Sequence, residues 1–297
     1  MSDQTVPEKC PQLNAEVTTI ERSPCLKHGL NSLRLQMRPA FLNHADDCRW
    51  KLLAENFPGY QMLLVADKQP VAVGHTVPLA WNQSADGLPD AIEDILLSAI
   101  RCHETGEPAN TLAVLGVFVS TDCQGNGLSA LMLKAVKQLA NEQGLTSMIV
   151  PVRPAFKSRY PLVSMNEYIA WKRADGSPFD PTIRYHWKAG ATVIKTAAKA
   201  MTVIGTVADW ENWTEMRFAE SGEYIVDGAL KPVLIDLASD HGWYEDPFLW
   251  MHHLIERKND QTKVRIELEI EGKDLHTITK CLSTNGQSLM RGVLWKV

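Results

Sequence analysis

The longest regular pattern in the chain runs from Gly127 to Gln143. There Leu128, Leu131, Met132, Ala135, Val136 and Leu139 recur at helical intervals, with Lys134, Lys137, Gln138 and Asn141 opposite and Gly144 at the end. That period is one face of an α-helix, and glycine is a usual stop. The flanking stretches have another texture. Thr111 to Val119 (TLAVLGVFV) and Ser147 to Val152 (SMIVPV) are almost unbroken apolar runs of strand length, as expected of strands covered on both faces. Strand, loop, long helix and strand make a βαβ unit, whose two strands are expected to be parallel. Upstream, Gln61 to Ala66 and Pro70 to Leu79 flank Asp67-Lys68-Gln69 and read as a β-hairpin, while Ala45 to Phe57 and Ala91 to Cys102 carry helical stripes.

Beyond Pro154 the pattern loosens into a polar and aromatic stretch that reaches Lys188, after which a strand pair is expected around residues 191–195 and 200–205. Lys263 to Glu271 (KVRIELEIE) alternates strictly. With turn signals at Gly272-Lys273 and Asn285-Gly286, it predicts an antiparallel meander over residues 262–297. Met1 to Ser23 is unpatterned and reads as a loose arm.

Composition narrows the class. A chain of 297 residues with 45% hydrophobic and 22% charged residues is globular and large enough to bury a core without staples. The six cysteines show no Cys-x-x-Cys pair and no zinc spacing, which fits reduced thiols in a cytoplasmic protein. His241, His252 and His253 lie near Glu245 and Glu256 but form no H-E-x-x-H motif, so no metal is expected. A net charge of −5 without a basic block argues against nucleic acid, and no apolar run reaches the length of a membrane span.

The chemistry is expected in the loop Asp122-Cys123-Gln124-Gly125-Asn126-Gly127-Leu128-Ser129, between the buried strand and the long helix. A helix start offers unpaired N–H groups and the positive end of the dipole, and glycines admit an anion close to the backbone. Gly125-x-Gly127-x-x-Ala130 also fits a loose dinucleotide fingerprint. Against that reading, residues 120–124 separate the strand from the first glycine, and no acidic residue ends the next strand.

Gln124-x-x-Gly127-x-Ser129 resembles the [Q/R]-x-x-G-x-[G/A] signature of the GCN5-related N-acetyltransferase (GNAT) superfamily, with Ser129 as a small replacement at the last place. The order of elements over residues 26–205 fits as well. The resemblance implies an α/β fold with a mixed central sheet flanked by helices, followed by a C-terminal extension over 206–297 that ends in the meander; residues 1–25 remain an arm. It implies that backbone amides of Gln124, Gly125, Asn126, Gly127, Leu128 and Ser129 hold the pyrophosphate of acetyl-CoA or another acyl-CoA. Val117, Phe118 and Val119 would pair with the pantetheine arm, with the Val119 N–H polarising the thioester carbonyl.

Many members of that superfamily carry R-L-Y-E-K-L-G-F after the diverging strand, the tyrosine being the acid that protonates the leaving thiolate. Arg184 to Ala191 (RYHWKAGA) is similar and puts His186 in the tyrosine's place, with Tyr185 one residue away. This chain departs from the pattern in the long segment from Val152 to Gly190, in Arg153-Pro154 where an asparagine is common, and in lacking a glutamate on the buried strand. His75 and Glu104 are candidates for the base or the acceptor site. Arg153, Lys157, Arg159 and Tyr160 are candidates to grip an anionic group of the acceptor. Six of the nine tryptophans fall between Trp171 and Trp250, which predicts a second core or an aromatic pocket. The expected activity is direct acyl transfer to the amine of a small molecule. A catalytically silent acyl-CoA sensor or scaffold, O- or S-acyl transfer, and malonyl-CoA decarboxylation stay open on the same residues, as does the oligomeric state.

Overall fold

A computed structural model describes residues 15–27, 29–30, 33, 39–45, 50–66, 68–124 and 127–256. The described strands form one mixed, nine-stranded sheet. Strand β1 (Ala15–Thr19) pairs with β2 (Gln61–Ala66), β2 with β3 (Gln69–Leu79) and β3 with β4 (Thr111–Val119), all antiparallel. The short helix α1 (Lys51–Asn56) precedes β2, and α2 (Ile92–Thr105) links β3 to β4. Helix α3 (Leu128–Glu142) then crosses to β5 (Ser147–Val152), which lies parallel to β4, as the apolar runs predict.

The next segment holds α4 (Met165–Ile169) and α5 (Pro181–Lys188), then β6 (Thr192–Gly205), α6 (Val207–Thr214), β7 (Gly222–Tyr224), β8 (Val233–Asp236) and β9 (His241–Leu254). The strand pair expected around 191–205 is instead the single strand β6. A register irregularity between Ala197 and Met201 absorbs the small, polar interruption that looked like a turn, and β6 pairs with β9. Along its other side β9 pairs with β5 and β8, so the extension beyond residue 205 supplies a strand seated between β5 and β6. The meander expected over 262–297 lies outside the described residues.

Two cores follow from the two sheet faces. On one, Leu128, Met132, Val136 and Leu139 of α3 pack with Leu112, Val114, Met148 and Val150, so the helical and strand rhythms meet there. On the other, Ile92, Ile95, Leu96 and Ala99 of α2 pack with Val77, Ala113, Leu115, Ile149 and Trp250. Truncating a fully buried side chain such as Met132 to alanine would cost about 2–5 kcal/mol. A third cluster, around Phe41, Trp210 and Tyr244, fastens the extension to the body, so at least these aromatics belong to a core.

Candidate active site

β4 and β5 are paired only at Thr111–Ala113 with Ser147–Ile149. Beyond those pairs β4 continues with β3, whereas β5 is paired along its whole length with β9, so the two parallel strands part. The Ser120 N–H donates to the Val71 carbonyl at 2.9 Å. Backbone groups alternate along a strand, so the N–H groups of Val117 and Val119 point away from β3 and into the gap, while that of Phe118 points to β3.

β4 also carries an extra residue. His75 faces Gly116 and Thr76 faces Val114, which leaves Leu115 as a β-bulge. Gly116 is required beside it, because a Cβ there would lie 2.6 Å from the Phe118 ring.

The gap leads to the start of α3. A single turn of 3₁₀ helix over Thr121–Cys123 is anchored by the buried Cys123, and Gln124 follows, exposed. Gly127 caps α3 with φ +71°, a conformation that side chains disfavour, and its position offers the helix no side-chain oxygen. Its carbonyl accepts from Ala130 and Leu131, so the N–H groups of Leu128 and Ser129 have no partner inside the helix. Leu128 is buried as an anchor, while Gly127 and Ser129 are exposed and, among the described residues, no atom beyond the chain neighbours lies within 4 Å of where a Gly127 Cβ would stand. Backbone donors, a dipole end and open space suit a pyrophosphate. Gly125 and Asn126 lie outside the described residues.

α5 brings in the expected acid. Asp180 starts the helix, its buried carboxylate accepting from the Thr182, Ile183, Ala155 and Phe156 N–H groups and from the Tyr168 hydroxyl. His186 is 8% exposed, with Nδ1 3.0 Å from Nε2 of His253 on β9. Burial, with the Lys137 charge adding to it, pushes His186 down to about 4 and His253 down to about 3, so both rings are neutral at pH 7. Tyr185 is 37% exposed, and partial burial raises its hydroxyl, which therefore keeps its proton at neutral pH.

His75 is buried and faces the same side of the sheet as Phe118. The Gln61 amide donates to the carbonyls of Phe57 and Thr76, which turns its oxygen toward His75 Nδ1 at 3.1 Å. That orientation makes Nδ1 the donor of this pair. Trp50 and Phe118 meet the ring edge-on at 5.2 and 6.0 Å.

The basic residues after β5 are engaged within the fold. Arg153 donates to both oxygens of the buried Asp246 (2.8 and 3.2 Å) and to the Gly228 carbonyl (2.6 Å), and Asp246 also accepts from the Tyr244 hydroxyl. Lys157, 1% exposed, donates to the carbonyls of Tyr160 and Leu230. The Tyr160 ring packs against Tyr168, Trp171 and Phe179, and Arg159 lies over Phe156. Glu104 is exposed near the end of α2. Sequence reasoning missed the His186–His253 pair, Gln61, and a cavity under Trp50. The first two depend on pairings between distant residues, although polar residues inside apolar strands were the available signal.

A sequence profile of the acetyltransferase (GNAT) family matches residues 33–159. The arginine N-acetyltransferase avaD of Aspergillus versicolor is 30% identical over 225 residues, which cover 67% of this chain and 77% of that protein. The chain belongs to the GNAT family. Two solved structures share the fold of this acetyltransferase. The loading GNATL domain of CurA from Lyngbya majuscula has a TM-score of 0.56 at 17% identity, over 84% of this chain and 100% of that one. The GphF GNAT-like decarboxylase in complex with isobutyryl-CoA has a TM-score of 0.53 at 15% identity, over 82% and 100%. The family uses acyl-CoA, and among the described residues no helix is long and apolar enough to cross a membrane.

Proposed function

We propose that this acetyltransferase moves an acetyl group from acetyl-CoA to an amine of a small cationic molecule of the arginine type, by direct attack and without an acyl-enzyme. The observation that carries the reading is two sets of backbone donors, Val117 and Val119 in the gap and Leu128 and Ser129 at the uncapped helix start. The acceptor class is supported by the arginine N-acetyltransferase relative.

In the step, the amine nitrogen bonds to the thioester carbonyl carbon, and the Val119 N–H holds the charge that develops on the oxygen. The carbon–sulfur bond then breaks. The amine gives up one proton and the thiolate takes one, so an acid with solvent as the sink balances the reaction. Tyr185 is better suited than His186, because its exposed phenol keeps a proton at neutral pH while the buried imidazole does not. His186, tied to His253, positions α5.

Calorimetric titration with acetyl-CoA, followed by thiol release with L-arginine as acceptor, tests the reading. Micromolar binding and arginine-dependent release are expected. A protein that binds no acetyl-CoA would sink it.

A further inference from the structure

Between α2, β4 and β6 lies a cavity of about 120 Å³, walled by Trp50, Glu93, Leu96, Leu115, Ala200 and Met201. That is close to the ~150 Å³ of a cavity that holds one benzene, so it admits a short side chain and not a nucleotide. Its position gives it meaning. Leu115 is the bulged residue of β4, and Val117, whose N–H faces the gap, is two residues further along, a rise of ~7 Å. Trp50, which also lines the cavity, touches His75.

Among the described residues the walls are apolar apart from Glu93, Lys199 and Thr202. Glu93, in the first turn of α2, has a buried carboxylate oxygen, and the positive end of the helix dipole favours its negative charge. Lys199 also borders the cavity, but it is 64% exposed and its ammonium is paired with Glu245 at 2.9 Å, which places its charge at the rim. A carboxylate offers about four acceptor sites, so Glu93 can receive donors from a ligand besides those of the protein. A half-buried acid that shares a largely apolar cavity with an indole is complementary to an ammonium or guanidinium on a short aliphatic stem.

We infer that this cavity is the acceptor's side-chain site, in which Glu93 reads the cationic end of the acceptor while the stem lies along Trp50, Leu115 and Met201. Resting on the proposed transfer to an amine, the inference adds which residues select the acceptor and by what charge. An acceptor with its reacting amine a short aliphatic chain away from a second cation spans the distance from the cavity to the gap.

The test pairs acceptors that differ in that cation alone: L-arginine against L-citrulline, and cadaverine against pentylamine, each with acetyl-CoA and the full chain. The protein should prefer the cationic member of each pair in kcat/KM, and Glu93→Gln should shrink that preference about tenfold or more, the effect of losing one charge-assisted hydrogen bond. Ala200→Leu, which fills the cavity, should raise KM for the cationic acceptors while calorimetry still finds acetyl-CoA bound. Absence of a cationic preference, a preference that survives Glu93→Gln, or an unaltered KM in Ala200→Leu overturns the inference. Turnover of amines without charge selection leaves the proposed function standing, whereas failure to bind acetyl-CoA removes both.

Discussion

Helices α3 and α5 begin in opposite ways. At α5 the start is closed: the buried Asp180 carboxylate takes two N–H groups of the helix, two from the loop after β5 and a tyrosine hydroxyl. At α3 the start is open, an exposed glycine at φ +71° with no side-chain cap. α4 and α6 are closed too, by capping boxes at Ser164 and Thr206. α1 and α2 also begin without a side-chain cap, at Trp50 and Ala91, but the bare start of α3 stands beside two parting strands, and on the proposed reading its donors serve the cosubstrate. The closed start of α5 and the open start of α3 should therefore answer differently to substitution.

The largest effect is expected at the closed start. Asp180→Ala would strand several buried donors at once, and should lower the unfolding free energy by about 3–5 kcal/mol in urea titrations. A change below about 1 kcal/mol would show that α5 does not depend on this hub.

The same helix carries the next effect, in pH. His186 and His253 are held near 4 and 3 by burial, below the ordinary histidine value of 6.5. The unfolded chain therefore binds more protons than the folded one between those values. Stability from the pair is fully present above about pH 6.5 and is lost as pH falls toward 4, by roughly 3 kcal/mol for His186. Urea midpoints measured from pH 7.5 down to 4.5 should fall less steeply in His186→Gln than in the parent. Parallel slopes would refute a buried neutral pair.

On α5, chemistry and stability part company. Tyr185→Phe should leave stability nearly intact but lower kcat by about 10², the smaller end of general-acid contributions. An unaltered kcat would take the acid role away from Tyr185.

What was legible in the sequence follows the same division. The α3 start could be read because a backbone site needs only glycine spacing and a helical stripe, both local, and the βαβ unit around it follows from two runs and one period. His186 was legible as a candidate, but its partner was not: His253 sits on β9, whose sequence (HGWYEDPFLWMHHL) lacks simple alternation because much of the strand is buried on both faces and Pro247 interrupts it. Arg153 and Lys157 looked like anion-binding residues for a related reason. Their partners, Asp246 and the carbonyls of Gly228 and Leu230, lie more than seventy positions away, and no local pattern announces them.

The smallest effect on stability, and the sharpest on function, belongs to the open start. Among the described residues a Cβ on Gly127 would meet no atom within 4 Å, so the expected cost of Gly127→Ala is that of the left-handed backbone, about 1–2 kcal/mol. On the proposed reading, a pyrophosphate approaches the Leu128 and Ser129 amides through that same space. The variant should therefore unfold at slightly lower urea yet bind acetyl-CoA at least about tenfold more weakly, a larger relative loss than the same stability cost would produce at a closed start. Asp180→Ala supplies the contrast, with a large stability loss and, in the fraction that stays folded, acetyl-CoA affinity close to that of the parent. If Gly127→Ala binds acetyl-CoA as the parent does, the bare helix start is not where the cosubstrate is held, and the distinction between open and closed starts loses its functional meaning.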